Sequence, residues 1–426
     1  MRKQFYQKVD ETVYFEQLSN GLTVYIIPKP GFQKTFATFT TCYGSIDKYF
    51  TMNDTTLIEM PDGIAHFLEH KMFEKQTGDV FTSFSSNGAS ANAYTSSDRT
   101  AYLFSATENI AENINLLLDF VQDPYFTDDN VHKEKGIIEQ EIRMYQDHPN
   151  WRAFYGLLDG LYQQHPIHRD IAGTIESIAE ITKEMLYECY RTFYHPQNMC
   201  LVIVGAVQPE ITMEWVRTNQ ATKTFAPQAK IQRIFPKEPA AVKQRYKQIQ
   251  LPVSMPKCYF GIKESHNHLQ GIELLRQDIQ TKCLFDILFS VSSPLYQSLY
   301  DTQLLTDQFG ADFQTGPDYA FSAIGGDTKD PEQLVSRIRQ AVDQSKVTGI
   351  SAQSFHRVKR KKMGAYMRLI NSPEAIANEF TKHHFRGTDL FQILEIYEQV
   401  TLAQLETRLH EHFDWEQMSI CTVKSE

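Results

Sequence analysis

The chain has 426 residues, 22% charged and 42% apolar, and a formal net charge of −10. This is ordinary globular composition, long enough for about two or three domains. An acidic balance with a single basic run, Arg357 to Lys362, argues against a nucleic-acid partner; that run reads as a solvated helix face.

No apolar stretch follows Met1 to Lys8, so neither a signal peptide nor a membrane span is expected. In the first half, Asn20-Gly21 supplies a hairpin turn, and Leu22 to Ile27 and Thr35 to Cys42 read as strands. Pro61-Asp62 precedes a helix that Asp62 is placed to cap. A loop holding Gly78 and Gly88 follows, then strands over Ser90 to Tyr94 and Thr100 to Thr107. Helices are expected from Glu108 to Val121 and from Thr127 to a stop before Pro149. Two more follow, Trp151 to Tyr162, weakened by Gly156 and Gly160, and Lys183 to Tyr194. The apolar strand Met199 to Val204 closes this half.

Residues 217–250 are rich in Pro, Lys and Gln with little helical periodicity. They read as an interdomain linker between domains at 1–216 and 251–426. The second half then offers a strand at Cys258 to Ile262, a helix at Leu274 to Phe289 and a strand at Ala320 to Gly325. Helices from Glu332 to His412 and a last strand, Met418 to Val423, complete it. The shared order of elements in the two halves suggests a divergent internal duplication. The six cysteines are scattered, none at C-x-x-C spacing, which fits reduced thiols in a cytoplasmic setting.

The most specific segment is Gly63-Ile64-Ala65-His66-Phe67-Leu68-Glu69-His70, which reads H-x-x-E-H. On a helix His66 and His70 lie one turn apart on one face, where both imidazoles reach a single ion. Glu69 lies beside them, placed to handle the protons of a water. This is the zincin arrangement reversed, the inverzincin pattern, and it points to Zn²⁺. Two histidines leave a catalytic zinc short of one protein ligand. The segment Lys133 to Glu141 offers Glu134 and Glu141, seven apart and hence on one helix face. One of the two binds metal while the other orients a histidine; the spacing does not choose between them. A structural zinc site, or two histidines without metal, are the blander readings. His165 and His168 read as polar loop residues, His132 and His148 as surface residues. His383-His384 and the His410/His412 pair lack the spacing of a shared ion.

These motifs together resemble the pitrilysin, insulinase and mitochondrial processing peptidase family, and within it a branch found in Gram-positive bacteria. Leu18 to Val24 is similar to the family's opening hairpin, and Gly63 to His70 to its zinc helix. Asn92-Ala93-Tyr94-Thr95 with Arg99-Thr100-Ala101-Tyr102 resembles its substrate strand. Tyr194 to Met199 and Ile203 to Gly205 resemble the close of its first domain. The resemblance covers nearly the whole chain. It implies an α+β fold of two homologous domains, each a largely antiparallel sheet packed by helices. It implies His66, His70 and Glu141 as zinc ligands, Glu69 as base and Glu134 behind the ligands. Asn92, Ala93 and Tyr94 become the sheet edge to which a peptide substrate adds as a strand.

One departure follows from the same resemblance. Active members complete their site with an Arg and a Tyr seven residues apart, where this chain has Tyr300 and Asp307. Neither gives a cationic donor to an oxyanion. The expectation is therefore a zinc endopeptidase acting on short or unfolded peptides, paired with a homologous subunit that carries the Arg/Tyr pair, or with a second copy of itself. The rival expectation is a peptide-binding or scaffolding subunit that retains its zinc.

Overall fold

The computed structural model describes residues 1–53, 56–76, 78–264 and 269–425. The first half opens with β1 (Arg2–Tyr6), β2 (Glu11–Gln17), β3 (Thr23–Pro28), β4 (Thr35–Thr41), β5 (Tyr49–Met52) and β6 (Ile58–Glu59). Then come α1 (Ile64–Met72), β7 (Glu74–Lys75), β8 (Gly78–Asp79), α2 (Val80–Ser86), β9 (Ser90–Thr95) and β10 (Thr100–Ala106). It continues through α3 (Ile110–Val121), α4 (Asp128–Gln146), α5 (Pro149–Leu161), α6 (Ile175–Ala179), α7 (Lys183–Phe193), β11 (Met199–Gly205), α8 (Pro209–Ala221) and β12 (Ile231–Arg233). The second half has β13 (Tyr246–Gln250), β14 (Lys257–Ile262), α9 (Gly271–Phe289), α10 (Pro294–Asp301), β15 (Gly310–Gly316) and β16 (Tyr319–Asp327). It ends with α11 (Pro331–Thr348), α12 (Ala352–Leu369), α13 (Pro373–Phe385), α14 (Ile393–Gln399), α15 (Leu402–His412) and β17 (Met418–Lys424).

Two compact units result, and each borrows a segment from the other half of the sequence. One comprises Met1–Ile142, Asp170–Ile234 and Met367–Phe391; the other comprises Arg143–Arg169, Phe235–Tyr366 and Gln392–Glu426. The first unit is built on a seven-stranded sheet ordered β1-β2-β3-β11-β4-β10-β9. Every neighbouring pair is antiparallel except β3 with β11. The second has a five-stranded sheet ordered β13-β17-β14-β16-β15, antiparallel except for β13 with β17. The order and the single parallel pair repeat, so the duplication suggested by the sequence is present in the topology.

The all-buried strand β4 shows why the sheet of the first unit carries cover on both faces. Its Thr38 hydroxyl meets the Thr381 hydroxyl of α13 at 3.2 Å, and Phe39 and Ala37 on the opposite face are fully buried. The returning chain that brings α13 is tied down by Lys29. Its ammonium pairs with Glu11 and donates to the Ile370 carbonyl at 2.9 Å, with both charged side chains buried.

The two glycines that weaken α5 as a helix have a packing reason in the second unit. A Cβ on Gly156 would stand 2.5 Å from Cys421 Sγ, and one on Gly160 would collide with Ser419 Oγ. The helix therefore lies against β17 at backbone distance. Pro149, expected as a stop, is the first residue of α5, where a missing N–H has no cost.

Residues 217–250 are not a free linker. α8 runs through the first of them, and β12 and β13 join sheets. Glu238 accepts the backbone N–H groups of Gln163, Gln164 and His165 at 2.8 to 2.9 Å. The buried Lys263 donates to Glu238 at 2.9 Å and to the Pro239 and Ala241 carbonyls. His165 and His168, expected as loop surface, are both buried, with His165 Nε2 donating to the Pro317 carbonyl at 3.0 Å. All six cysteines are free thiols, and no helix among the described residues is long and apolar enough to cross a membrane.

Candidate metal centre

α1 is buried on nearly every side, through Ile64, Ala65, Phe67, Leu68 and Met72, so its position is fixed by the core rather than by exposed contacts. Its start differs from the sequence expectation. Gly63, not Asp62, is the N-cap, with φ of 91° and no side-chain cap. A Cβ there would stand 2.5 Å from the Ala172 carbonyl oxygen, so both the left-handed backbone and the close approach require glycine. Asp62 instead takes Lys48, at 3.1 Å.

His66 and His70 project from one face of α1 with ring centroids 4.5 Å apart. α4 brings both glutamates to them, and the two carboxylates have different places. Glu141 Oε1 lies 3.7 Å from His66 Nε2, and Glu141 Oε2 lies 3.5 Å from His70 Nε2. Glu134 Oε1 lies 3.0 Å from His70 Nδ1, on the far side of the ring. The sequence left these two glutamates interchangeable; the rotation of α4 separates them.

The geometry of His66, His70 and Glu141 fits a metal. One ligand atom from each lies within 4.8 Å of the others, and no other such trio occurs among the described residues. Their contacts are too long for good hydrogen bonds. They match the roughly 3.3 Å edge of a zinc tetrahedron with bonds near 2.0–2.1 Å. Burial, and then the neighbouring His70, push the His66 imidazole down to about 3, so it is neutral and its lone pair is available at ordinary pH. Burial also opposes charge on His70, but the Glu134 hydrogen bond and the charges of Glu69, Glu134 and Glu141 outweigh it and raise its pKa. Glu134 is buried too, yet His70 and the charges of Lys71 and Lys133 hold its carboxyl below the ordinary value. With His70 Nδ1–H donating to Glu134, His70 Nε2 keeps its lone pair turned toward Glu141.

Two residues of this neighbourhood escaped the sequence reading. Lys71 is fully buried, 2.5 Å from Glu74 Oε2 and 3.7 Å from Glu134 Oε2. A lysine beside Leu68 and Met72 on a buried helix was the available signal, since such a charge needs a partner. Thr95 donates its hydroxyl to Glu69 Oε2 at 2.7 Å. Burial, the leading effect, raises the Glu69 carboxyl above its ordinary value against that hydrogen bond and the charge of His70.

Asn92, Ala93 and Tyr94 lie on β9, which among the described residues pairs with β10 alone and ends the sheet. Asn92 Oδ1 accepts the Ala93 N–H at 2.9 Å, and the Tyr94 hydroxyl donates to Asn378 of α13 at 3.1 Å. In the other unit, Tyr300 lies in the last turn of α10 as an exposed ring stacked on Tyr296, and Asp307 is an exposed loop residue.

Known proteins resemble this chain along most of its length. Residues 57–175 match the family model described as insulinase, peptidase family M16, and residues 180–362 match the one described as peptidase M16 inactive domain. The chain is 47% identical, over 98% of both chains, to the uncharacterized zinc protease YmfH of Bacillus subtilis strain 168. Among solved structures, an M16-like peptidase from Alicyclobacillus acidocaldarius superposes with a TM-score of 0.95 at 39% identity, covering 98% of this chain and 99% of that one. A protease from Helicobacter pylori shares the fold at a TM-score of 0.85 and 19% identity, over 97% of this chain and 99% of its own.

Proposed function

The chain belongs to the insulinase family, peptidase family M16, and from that premise we propose that it is a zinc-dependent endopeptidase of short or unfolded peptides. His66, His70 and Glu141 hold the ion, and Glu134 keeps His70 in the tautomer that leaves Nε2 free. Zinc, when bound, polarises a scissile carbonyl and acidifies a water. Glu69 accepts the proton of the attacking water and passes it to the leaving amine. The peptide adds to the backbone edge of Asn92, Ala93 and Tyr94, so main-chain hydrogen bonds position it and side-chain preference is broad. The observation that carries this reading is the convergence of His66, His70 and Glu141, with Glu134 on the opposite nitrogen of His70.

Tyr300 and Asp307 stand where an Arg/Tyr pair is expected, and neither gives a cationic donor for the oxyanion. We therefore read it as the metal-bearing subunit of a heterodimeric clamshell whose homologous partner brings that pair; a homodimer is the other arrangement. The free thiols fit a reducing, cytoplasmic setting. The same Tyr300 and Asp307 support a second reading, a peptide-binding scaffold with an idle zinc.

The test is mass-spectrometric analysis of an unfolded-peptide pool incubated with the zinc-loaded chain, alone and with its co-purifying homologue, beside Glu69→Gln. Weak cleavage alone, stimulation by the homologue and loss in Glu69→Gln support the clamshell. Zinc-loaded chain that binds peptides and cleaves none, with or without the homologue, supports the scaffold.

A further inference from the structure

Glu69 is 8% exposed, and a glutamate has three side-chain torsions to fix before its carboxylate points one way. Thr95, the last residue of β9, holds it with its hydroxyl at 2.7 Å, the stronger of two contacts, and with a backbone hydrogen bond. Side chains alternate along a strand. Tyr94 leaves one face toward Asn378 of α13, and Thr95 leaves the other toward α1. The direction of the hydrogen bond is set by what lies behind it. Thr100 donates its proton to the Tyr43 carbonyl at 2.9 Å. At 3.4 Å from Thr95 Oγ1, Thr100 therefore has no proton to give. The Thr95 proton therefore goes to Glu69 Oε2.

We propose that Thr95 is the positioning residue of the base, and that through it the strand receiving the peptide also aims the carboxylate acting on that peptide. This rests on the peptidase reading above. A peptide paired along β9 extends the strand whose last residue grips Glu69, so seating the substrate and aligning the base are one structural event. Thr95 itself transfers no proton and acts only through Glu69.

The experiment compares Thr95→Val, which keeps the shape and removes the hydroxyl, with Thr95→Ser, which keeps the hydroxyl. Thr95→Ala replaces the valine variant if that one fails to fold. On an unfolded peptide, kcat of Thr95→Val falls by about 10- to 100-fold, as expected for a misplaced catalytic group. KM and zinc content stay at wild-type values, and Thr95→Ser restores most of the rate. Crystal structures of the zinc-loaded, peptide-free proteins give a second readout that needs no activity. Wild type and Thr95→Ser hold Glu69 in one conformer, and Thr95→Val spreads or displaces it. A valine variant with wild-type kcat, or with Glu69 unmoved, overturns the proposal. If wild type cleaves nothing even with a co-purifying homologue, the peptidase reading falls, and the Glu69 conformers still decide the role of Thr95.

Discussion

Glu134→Gln separates the two glutamates of α4 by their effect on zinc. In the folded chain Glu134 Oε1 meets His70 Nδ1 at 3.0 Å, and Oε2 lies 3.7 Å from the buried Lys71 ammonium. The amide keeps the volume and an acceptor oxygen but removes the charge from the histidine bond. A hydrogen bond to a charged group contributes about 1.5–3 kcal/mol. Losing such a partner behind a ligand weakens metal binding by about 10- to 100-fold; both figures describe an effect of the same size. Lys71 retains Glu74 at 2.5 Å, so the variant leaves no buried ammonium unpaired and folds. Glu141→Gln instead replaces an anionic ligand oxygen by a neutral amide on the ion itself, and zinc affinity falls further than in Glu134→Gln under the same conditions. Competition against a fluorescent zinc chelator measures both. Zinc lost from Glu134→Gln but held by Glu141→Gln would falsify the assignment. An unchanged affinity in Glu134→Gln would show that the tautomer lock contributes nothing.

Other consequences concern the frame around the site. Burial lowers the His165 imidazole to about 4, against about 6.5 in the unfolded chain. Between those values the unfolded chain binds a proton that the folded chain refuses. Stability is therefore full above about pH 6.5 and falls as pH drops toward 4, by about 3 kcal/mol; urea unfolding at pH 7 and pH 5 reads it, and a His165→Asn variant with an unaltered pH slope contradicts it. Lys263→Met removes a buried ammonium holding Glu238 and two carbonyls. It costs about 3–5 kcal/mol and makes the segment around Glu238 an early site of limited proteolysis. Gly160→Ala puts a methyl onto Ser419 Oγ and 3.2 Å from the Gln244 carbonyl, and lowers stability by about 1–3 kcal/mol in thermal unfolding.

What the sequence made legible follows from how local each signal is. His66, Glu69 and His70 sit within one turn of one helix, so their shared geometry is implied by their spacing. Glu134 and Glu141 share a face by the same rule, but which one meets Nε2 depends on the rotation of α4 against α1, and no local pattern encodes that. Thr95 lay inside a segment recognised for its backbone; its side chain gained a role because strand alternation turns it toward α1 while Tyr94 turns toward α13. Gly156 and Gly160 weakened a helix on propensity grounds, and tertiary contact with β17 is the reason they are there. The exchange of α5 and α13 between units was out of reach, because a helix's apolar face does not say which sheet it covers. Residues 217–250 looked like a linker because their anchors, Glu238 and the β12 and β13 ladders, bond to residues distant in sequence.

The most direct measurement is the rate of cleavage of one unfolded peptide against bound zinc, titrated into the metal-stripped chain alone and with any homologous chain that co-purifies with it. The rate should rise linearly and level off at one zinc per metal-bearing chain. Glu69→Gln should take up the same zinc and remain inactive. Cleavage that persists in the stripped protein, or in Glu69→Gln, would contradict the assignment of both the ion and the base.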